Sequence, residues 1–331
     1  MSKQPQTTAQ QQPPSNFLLF VALVLLMFFS WQQIKNSIWP PDPVKPGADK
    51  VEDEKGKGPL AAFVLPDQPD PAKDELLSLG DDSGGSAFNL RVRLSPRGAG
   101  LRSVTLNKFN AATDDGRPAE GRLDLVPDKA NEAEPAHLLF HYAPDKPNDE
   151  RPLDTLGKAV WEVVKVAGKP VSVGEVNGKA VHSVAFRARV AGVEITKTYS
   201  LREGDYHLGL EVELHRPADK GKKGDDPLAF RYQLTGAKGL PVEGKWYAGV
   251  FRNCYVGVED GTGRIVTRDY QDLPRISWSG GGTSVRPGQG AFIRYAGVAV
   301  QHFASVIAVE GKNPSFLQSA RPTLEAGVLH G

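Results

Sequence analysis

Cysteine occurs once, at Cys254, so no disulfide can form within this chain of 331 residues. If the chain is exported, its stability must come from packing and hydrogen bonds, without covalent staples. Charge of one sign is lacking too. Lys and Arg total 40, Asp and Glu 39, and the formal net charge is +1. That balance excludes the basic surface a nucleic-acid partner requires, so no nucleic acid is expected. No Cys-x-x-Cys, nucleophile elbow or triad-like constellation occurs. The glycine run Ser279–Thr283 lacks the Lys-Ser/Thr and helix of a phosphate cradle. Beyond residue 86 there is no apolar pattern of helical period, and no second long hydrophobic run follows the first.

That first run is Phe17 to Trp31, FLLFVALVLLMFFSW, and no charge lies between Lys3 and Lys35. A spanning helix needs about 20 residues at about 1.5 Å each, and Asn16 to Ile34, with Ile38 and Trp39 beyond, can supply them. Trp31 and Trp39 suit the membrane interface, where an indole has one apolar and one wet side. A cleaved signal peptide fits less well, because the n-region holds one lysine and Ser30-Trp31-Gln32-Gln33 is a poor cleavage site. A core helix would be apolar on every side and isolated at a terminus. The run is therefore read as an uncleaved anchor in the lipid bilayer. Flanking charge (Lys3 before, then Lys35, Lys45 and Lys50) points weakly against export, but large domains translocate largely regardless of it.

The expected organisation is a disordered tail over 1–15, a transmembrane anchor over 16–38, a Pro-rich acidic tether over 39–85 and a β-domain over 86–331. Prolines 40, 41, 43, 46, 59, 66, 69 and 71 block helix and ladder alike in the tether. A short helix is expected around Ala72–Leu79. From Ser86 the apolar period becomes 2. Tyr206, Leu208, Leu210, Val212 and Leu214 alternate with polar residues or glycine, and Val184, Phe186, Ala188 and Val190 alternate with Ala185, Arg187 and Arg189. Val193, Ile195, Tyr199 and Leu201 form a third such set, with Lys197 the one intruder. Asn177-Gly178, Ala191-Gly192 and Gly204-Asp205 mark the turns. Residues 159–216 thus predict antiparallel strands in meander order, with weaker strands at 87–94, 100–109, 136–142, 245–258, 262–268 and 291–310. The fold class is all-β, long antiparallel strands packing as a sandwich.

Few residues suggest chemistry. His137 and His141 suit a metal only on a helix; on a strand four residues separate them by about 13 Å. Glu211 and Glu213 share the wet face of one strand and read as solvated carboxylates. Asp114-Asp115 and Asp225-Asp226 read as loop charges. Cys254, in a strand-like stretch, reads as a small buried apolar residue. No catalytic, cofactor-binding or metal residue is assigned, and no cofactor is expected. Trp161, Trp246, Tyr247 and Trp278 allow an alternative, a membrane-anchored carbohydrate-binding β-sandwich whose rings stack on sugars; core or interface anchoring is the simpler role for them. A sugar isomerase would need a His and a carboxylate facing one cleft, which the scattered histidines do not offer.

Three stretches carry a family likeness. They are Asn16-Phe17-Leu18-Leu19-Phe20 with a tryptophan soon after, the glycine-led strand Gly98 to Phe109, and Glu194-Ile195-Thr196-Lys197-Thr198-Tyr199-Ser200-Leu201 followed by Gly204-Asp205-Tyr206 and the alternating strand to Leu214. In order and spacing the chain resembles the N-terminal part of the YidC family of bacterial membrane protein insertases, over roughly 16–310. The resemblance implies a twisted antiparallel β-supersandwich in the periplasm after one N-terminal transmembrane helix in the inner membrane, with a cytoplasmic amino terminus. It implies a role in inserting and folding integral membrane proteins, with the Sec translocon and nascent membrane proteins as partners, and no enzyme activity. The family's insertase groove lies in a downstream helix bundle. No second hydrophobic run is present to form it, so the chain is expected to lack the groove. By the family pattern the β-domain would also be incomplete at its C-terminal end.

Overall fold

The computed structural model describes residues 76–321 apart from 82, 84, 114, 144–151, 191, 217–229, 242–252, 271–284, 301 and 311–316. The apolar run 17–31 and the proline-rich segment to residue 75 lie outside the described residues. Among those described, no helix is long and apolar enough to cross a membrane.

In chain order the strands are β1 (Leu77–Leu79), β2 (Leu90–Ser95), β3 (Gly100–Ala112), β4 (Pro118–Val126), β5 (Leu139–His141), β6 (Glu162–Val164), β7 (Ser172–Val176) and β8 (Lys179–Val190). Then follow β9 (Val193–Arg202), β10 (Leu208–His215), β11 (Tyr232–Leu234), β12 (Asn253–Glu259), β13 (Ile265–Tyr270), β14 (Phe292–Ala299) and β15 (Ala304–Ala308). One 3₁₀ turn, Lys129–Asn131, is the helical element among the described residues. The fold is all-β, as the period-2 pattern requires, and every strand pairing is antiparallel.

Four sheets result. The first runs β1-β2-β3-β4 and the second β10-β9-β8-β6, with β7 also on β8. β7 pairs with Lys179–Ser183 and β6 with Ala185–Arg187, so the two short strands share one edge of β8. β5 pairs with β11, and the fourth sheet runs β13-β12-β14-β15. Leu90, Val92, Leu94, Val104 and Leu106 of the first sheet join Val184, Phe186, Ile195, Tyr199 and Leu201 of the second in one buried cluster. That is the common core of a sandwich. The fourth sheet has its own smaller core of Val256, Val258, Val285 and Ile293. Asn177 (φ 54°) and Gly178 (φ 74°) close the β7–β8 hairpin with both central residues left-handed, as that dipeptide predicts.

Some expectations change. Residues 77–79 form a strand that pairs with Val92–Leu94, where a short helix and part of the tether were expected. The ladder to β2 and the burial of Leu79 outweigh local helical preference. β4 was not anticipated: along PAEGRLDLV only Leu123 and Val126 are buried, and its register against β3 shifts three times. The strand expected over 136–142 shortens to 139–141, because His137 takes a left-handed φ of 59°. The strand expected over 262–268 begins at Ile265, since the Asp260 carboxylate accepts hydrogen bonds from the Thr262 and Arg264 amides and holds a tight turn. The stretch 291–310 divides into β14 and β15. For the strand expected over 245–258, the described part begins at Asn253.

Gly98 shows how tightly the sandwich closes. Its φ is 63°, and a Cβ there would sit 2.2 Å from Leu138 Cδ2 and 2.6 Å from the Gly157 carbonyl oxygen. Gly98→Ala is expected to destabilise the domain by roughly 3 kcal/mol, combining backbone strain with a clash against main chain. Urea unfolding of the two proteins checks this. A midpoint unchanged by the substitution would show that the contact relaxes freely.

Candidate functional site

Lys197 interrupts the apolar face of β9, and strand geometry gives it no exit. Residues 193, 195, 197, 199 and 201 share the inward face, and Lys197 is fully buried among them. An ammonium in such a place must find acceptors. Nζ donates to the carbonyl oxygens of Ala99 and His137, each at 2.7 Å, with the Gly98 carbonyl at 3.4 Å. The rings of Tyr199 and Trp161 present themselves at 5.3 Å and 5.7 Å. Tyr199 donates its hydroxyl to the Ala99 carbonyl at 2.8 Å, and Trp161 Nε1 donates to the Leu156 carbonyl at 3.0 Å.

The acceptors share one property. Gly98, Ala99 and His137 all have positive φ, at 63°, 45° and 59°. Turns of this kind aim carbonyls away from any ladder, and the lysine collects them. Burial pushes the Lys197 ammonium down to about 7. The carbonyls and ring faces work in the opposite sense, since they favour the charged form. Burial likewise drives the Tyr199 hydroxyl upward. The centre is closed, and its polar contacts are carbonyls, so it holds turns in place and offers no route for a substrate.

The other candidates fall as follows. Trp161 is buried under Lys197 and is no sugar platform, which corrects that part of the carbohydrate reading. Trp246, Tyr247 and Trp278 lie outside the described residues, as do the loops 220–227 and 279–283 and Asp114, Asp225 and Asp226. His137 is half-buried, and its two ring nitrogens are shielded from solvent without a hydrogen-bond partner among the described residues. His141 approaches the Thr155 hydroxyl at 3.1 Å and stacks on Phe230. Among the described residues, no group of three His, Cys, Asp or Glu side chains could hold a metal ion. Glu211 and Glu213 are exposed on β10. Cys254 is buried as expected, and burial raises its thiol to about 11, so it is unreactive. An open hollow of about 550 Å³ lies beside β6, lined by Glu162, Val163, Val164, Lys165 and Arg187.

The sequence reading missed a surface feature. Phe109, 44% exposed, packs edge-on against Tyr206, 49% exposed, and against Phe303, with centroids at 6.4 Å and 6.0 Å. Tyr206 had been read as the first inward residue of an alternating strand, but β10 starts at Leu208. The preceding Gly204-Asp205 turn is the signal that could have placed it outside.

With no catalytic arrangement among the described residues, family membership is the functional fact to establish. A family model described as the YidC periplasmic domain matches residues 87–328. The chain belongs to that family. No curated protein and no solved structure gives a match to it. Membership puts the chain in the setting of YidC-type membrane insertion, where the periplasmic domain is a non-catalytic component of a membrane-anchored protein. For a YidC periplasmic domain, a buried ammonium that organises turns needs no further duty. The match also spans the fourth sheet, so that sheet is part of the family's domain.

Two predictions follow from the Lys197 centre. Lys197→Ala leaves the His137 carbonyl without its donor and opens a cavity, and should cost about 3–5 kcal/mol in urea unfolding. The second concerns acid. Burial, with Lys197 nearby, lowers His137 from 6.5 to about 4. Between those values the unfolded chain binds a proton that the folded one refuses, so stability falls as pH falls. Lys197 is charged in both states across that window and adds no slope. Asp81, Asp205, Asp260 and Glu194, held low by hydrogen bonds, lose their contribution mainly below it. The expected loss from pH 6.5 to 4 is roughly 2–4 kcal/mol. His137→Asn should flatten the slope while tolerating the positive φ. An equal slope in both proteins would assign the effect elsewhere.

Proposed function

We propose that this chain is the anchor and periplasmic domain of a YidC-like membrane protein insertase component, which aids insertion and folding of integral membrane proteins at the bacterial inner membrane. The family match over residues 87–328 carries this reading, and the apolar run 17–31 supports it. In this proposal residues 16–38 cross the bilayer once, with the amino terminus cytoplasmic and the β-domain periplasmic. The proline-rich segment after the anchor is the tether, and it ends before β1. Nascent membrane proteins and the Sec translocon are the partners. The domain acts as scaffold or accessory and not as the path through which helices enter lipid.

The full chain should sediment with inner membranes and stay there through an alkaline carbonate wash. Protease added to sealed, right-side-out spheroplasts should digest the β-domain, and protease added to inverted vesicles should not. Survival of the domain in spheroplasts would reverse the proposed orientation, and release by carbonate would remove the anchor.

A further inference from the structure

In the aromatic cluster, Phe109 and Tyr206 are exposed, while Phe303 is half-buried against the main core and backs Phe109. Tyr206 sits on the β9–β10 turn, which is tied down from both sides: the Gly204 amide donates to the Ala87 carbonyl, and its own carbonyl accepts from Asn89 Nδ2 at 2.7 Å. Arg202 donates to the Asp205 carboxylate at 2.7 Å across the same turn. Next to Phe109, Asn107 Nδ2 donates to the carbonyls of Asp81 and Phe88, and Lys108 Nζ donates to the Ser86 carbonyl. Phe303 closes the β14–β15 turn, where the Val300 amide donates to its carbonyl. One ring thus stands on strand β3 and two on the β9–β10 and β14–β15 turns, each beside main-chain hydrogen bonds that fix its backbone. His207 and His302, both exposed, flank the rings with polar groups.

We propose that this cluster is a lipid-docking surface, seating the domain against the headgroup boundary of the bilayer in which residues 16–38 are anchored. The inference rests on the anchor proposed above. Aromatic rings bordered by polar side chains suit that boundary, where an apolar body and a wet rim are both satisfied. The length of chain keeps that bilayer close to the cluster. Between residue 38 and Leu76 lie about 37 residues, which can span at most about 125 Å. Every face of the domain is therefore kept within reach of the same bilayer. Lipid is present at a high effective concentration, and a contact too weak to recruit a free protein suffices here. The fixed backbone serves the same end, because it lowers the ordering cost on contact.

The test uses the full chain in vesicles of phosphatidylcholine and phosphatidylglycerol, with a nitroxide on His207→Cys; buried, unreactive Cys254 does not compete for label. Docking gives the label greater accessibility to oxygen than to a water-soluble relaxant. That preference is lost in Phe109→Ser and in Tyr206→Ser, with urea unfolding of each variant confirming that the domain is still folded at the temperature of the measurement. A control label at Val173→Cys, on exposed β7, should read as aqueous throughout. A His207→Cys label that is freely aqueous in the parent overturns the proposal, as does one shielded from both reagents, which would mean a protein occupies the cluster. Retention through a carbonate wash scores the anchor separately. If the anchor fails, holding the amino terminus on the vesicles through a histidine tag and nickel-chelating lipid restores the effective concentration, and the His207→Cys label then decides whether the cluster binds lipid.

Discussion

A single ammonium placed inside an apolar sandwich sets the terms for the rest of this domain. Lys197 cannot leave the inward face of β9 without flipping the strand's register, which would expose Ile195, Tyr199 and Leu201 together. The carbonyls it requires are supplied by turns at Gly98, Ala99 and His137. Those turns bring the start of β3 and the approach to β5 against the second sheet. Gly98 must be glycine because the approach is so close that a Cβ would overlap the Gly157 carbonyl. Tyr199 and Trp161 then complete the enclosure with ring faces and with hydrogen bonds of their own. Buried polar groups of this kind favour one arrangement over its competitors, because any misregister leaves a charge unpaired.

The sequence made the sandwich legible wherever one face of a strand is wet. β8, β9 and β10 alternate so regularly that their span and order could be read directly, and Asn177-Gly178 announced its hairpin. β4 escaped because just two of its residues point into the core and its register against β3 slips repeatedly. β1 escaped because three residues after a proline-rich stretch carry no period to read. Lys197 was visible as an exception to a pattern, but nothing in the pattern told where its charge would be satisfied. That depends on carbonyls 98 and 60 residues away in the chain, and main-chain direction in a turn is not written in side-chain identity. Trp161 looked the same from sequence whether it faced sugar or core.

The family match places this domain in the setting of membrane insertion, as the periplasmic domain of a YidC-type protein. Among the described residues the Lys197 ammonium and the His137 ring nitrogens are enclosed, and the exposed carboxylates are solvated. A YidC periplasmic domain of this design presents surfaces and edges. The aromatic cluster differs from the exposed valines and leucine of β7, β10 and β15 in gathering three rings in mutual contact.

Cys254 carries a consequence for how such a domain is made. Its thiol is hidden between the strands of the fourth sheet once folding is complete, and visible before. In an oxidising compartment an unpaired thiol on an unfolded chain is open to mixed disulfides with any neighbour. The folded chain offers no second cysteine to resolve one. Closure of the fourth sheet is therefore a race against oxidation, and the speed at which β12 is covered decides how much of the newly exported chain escapes covalent capture.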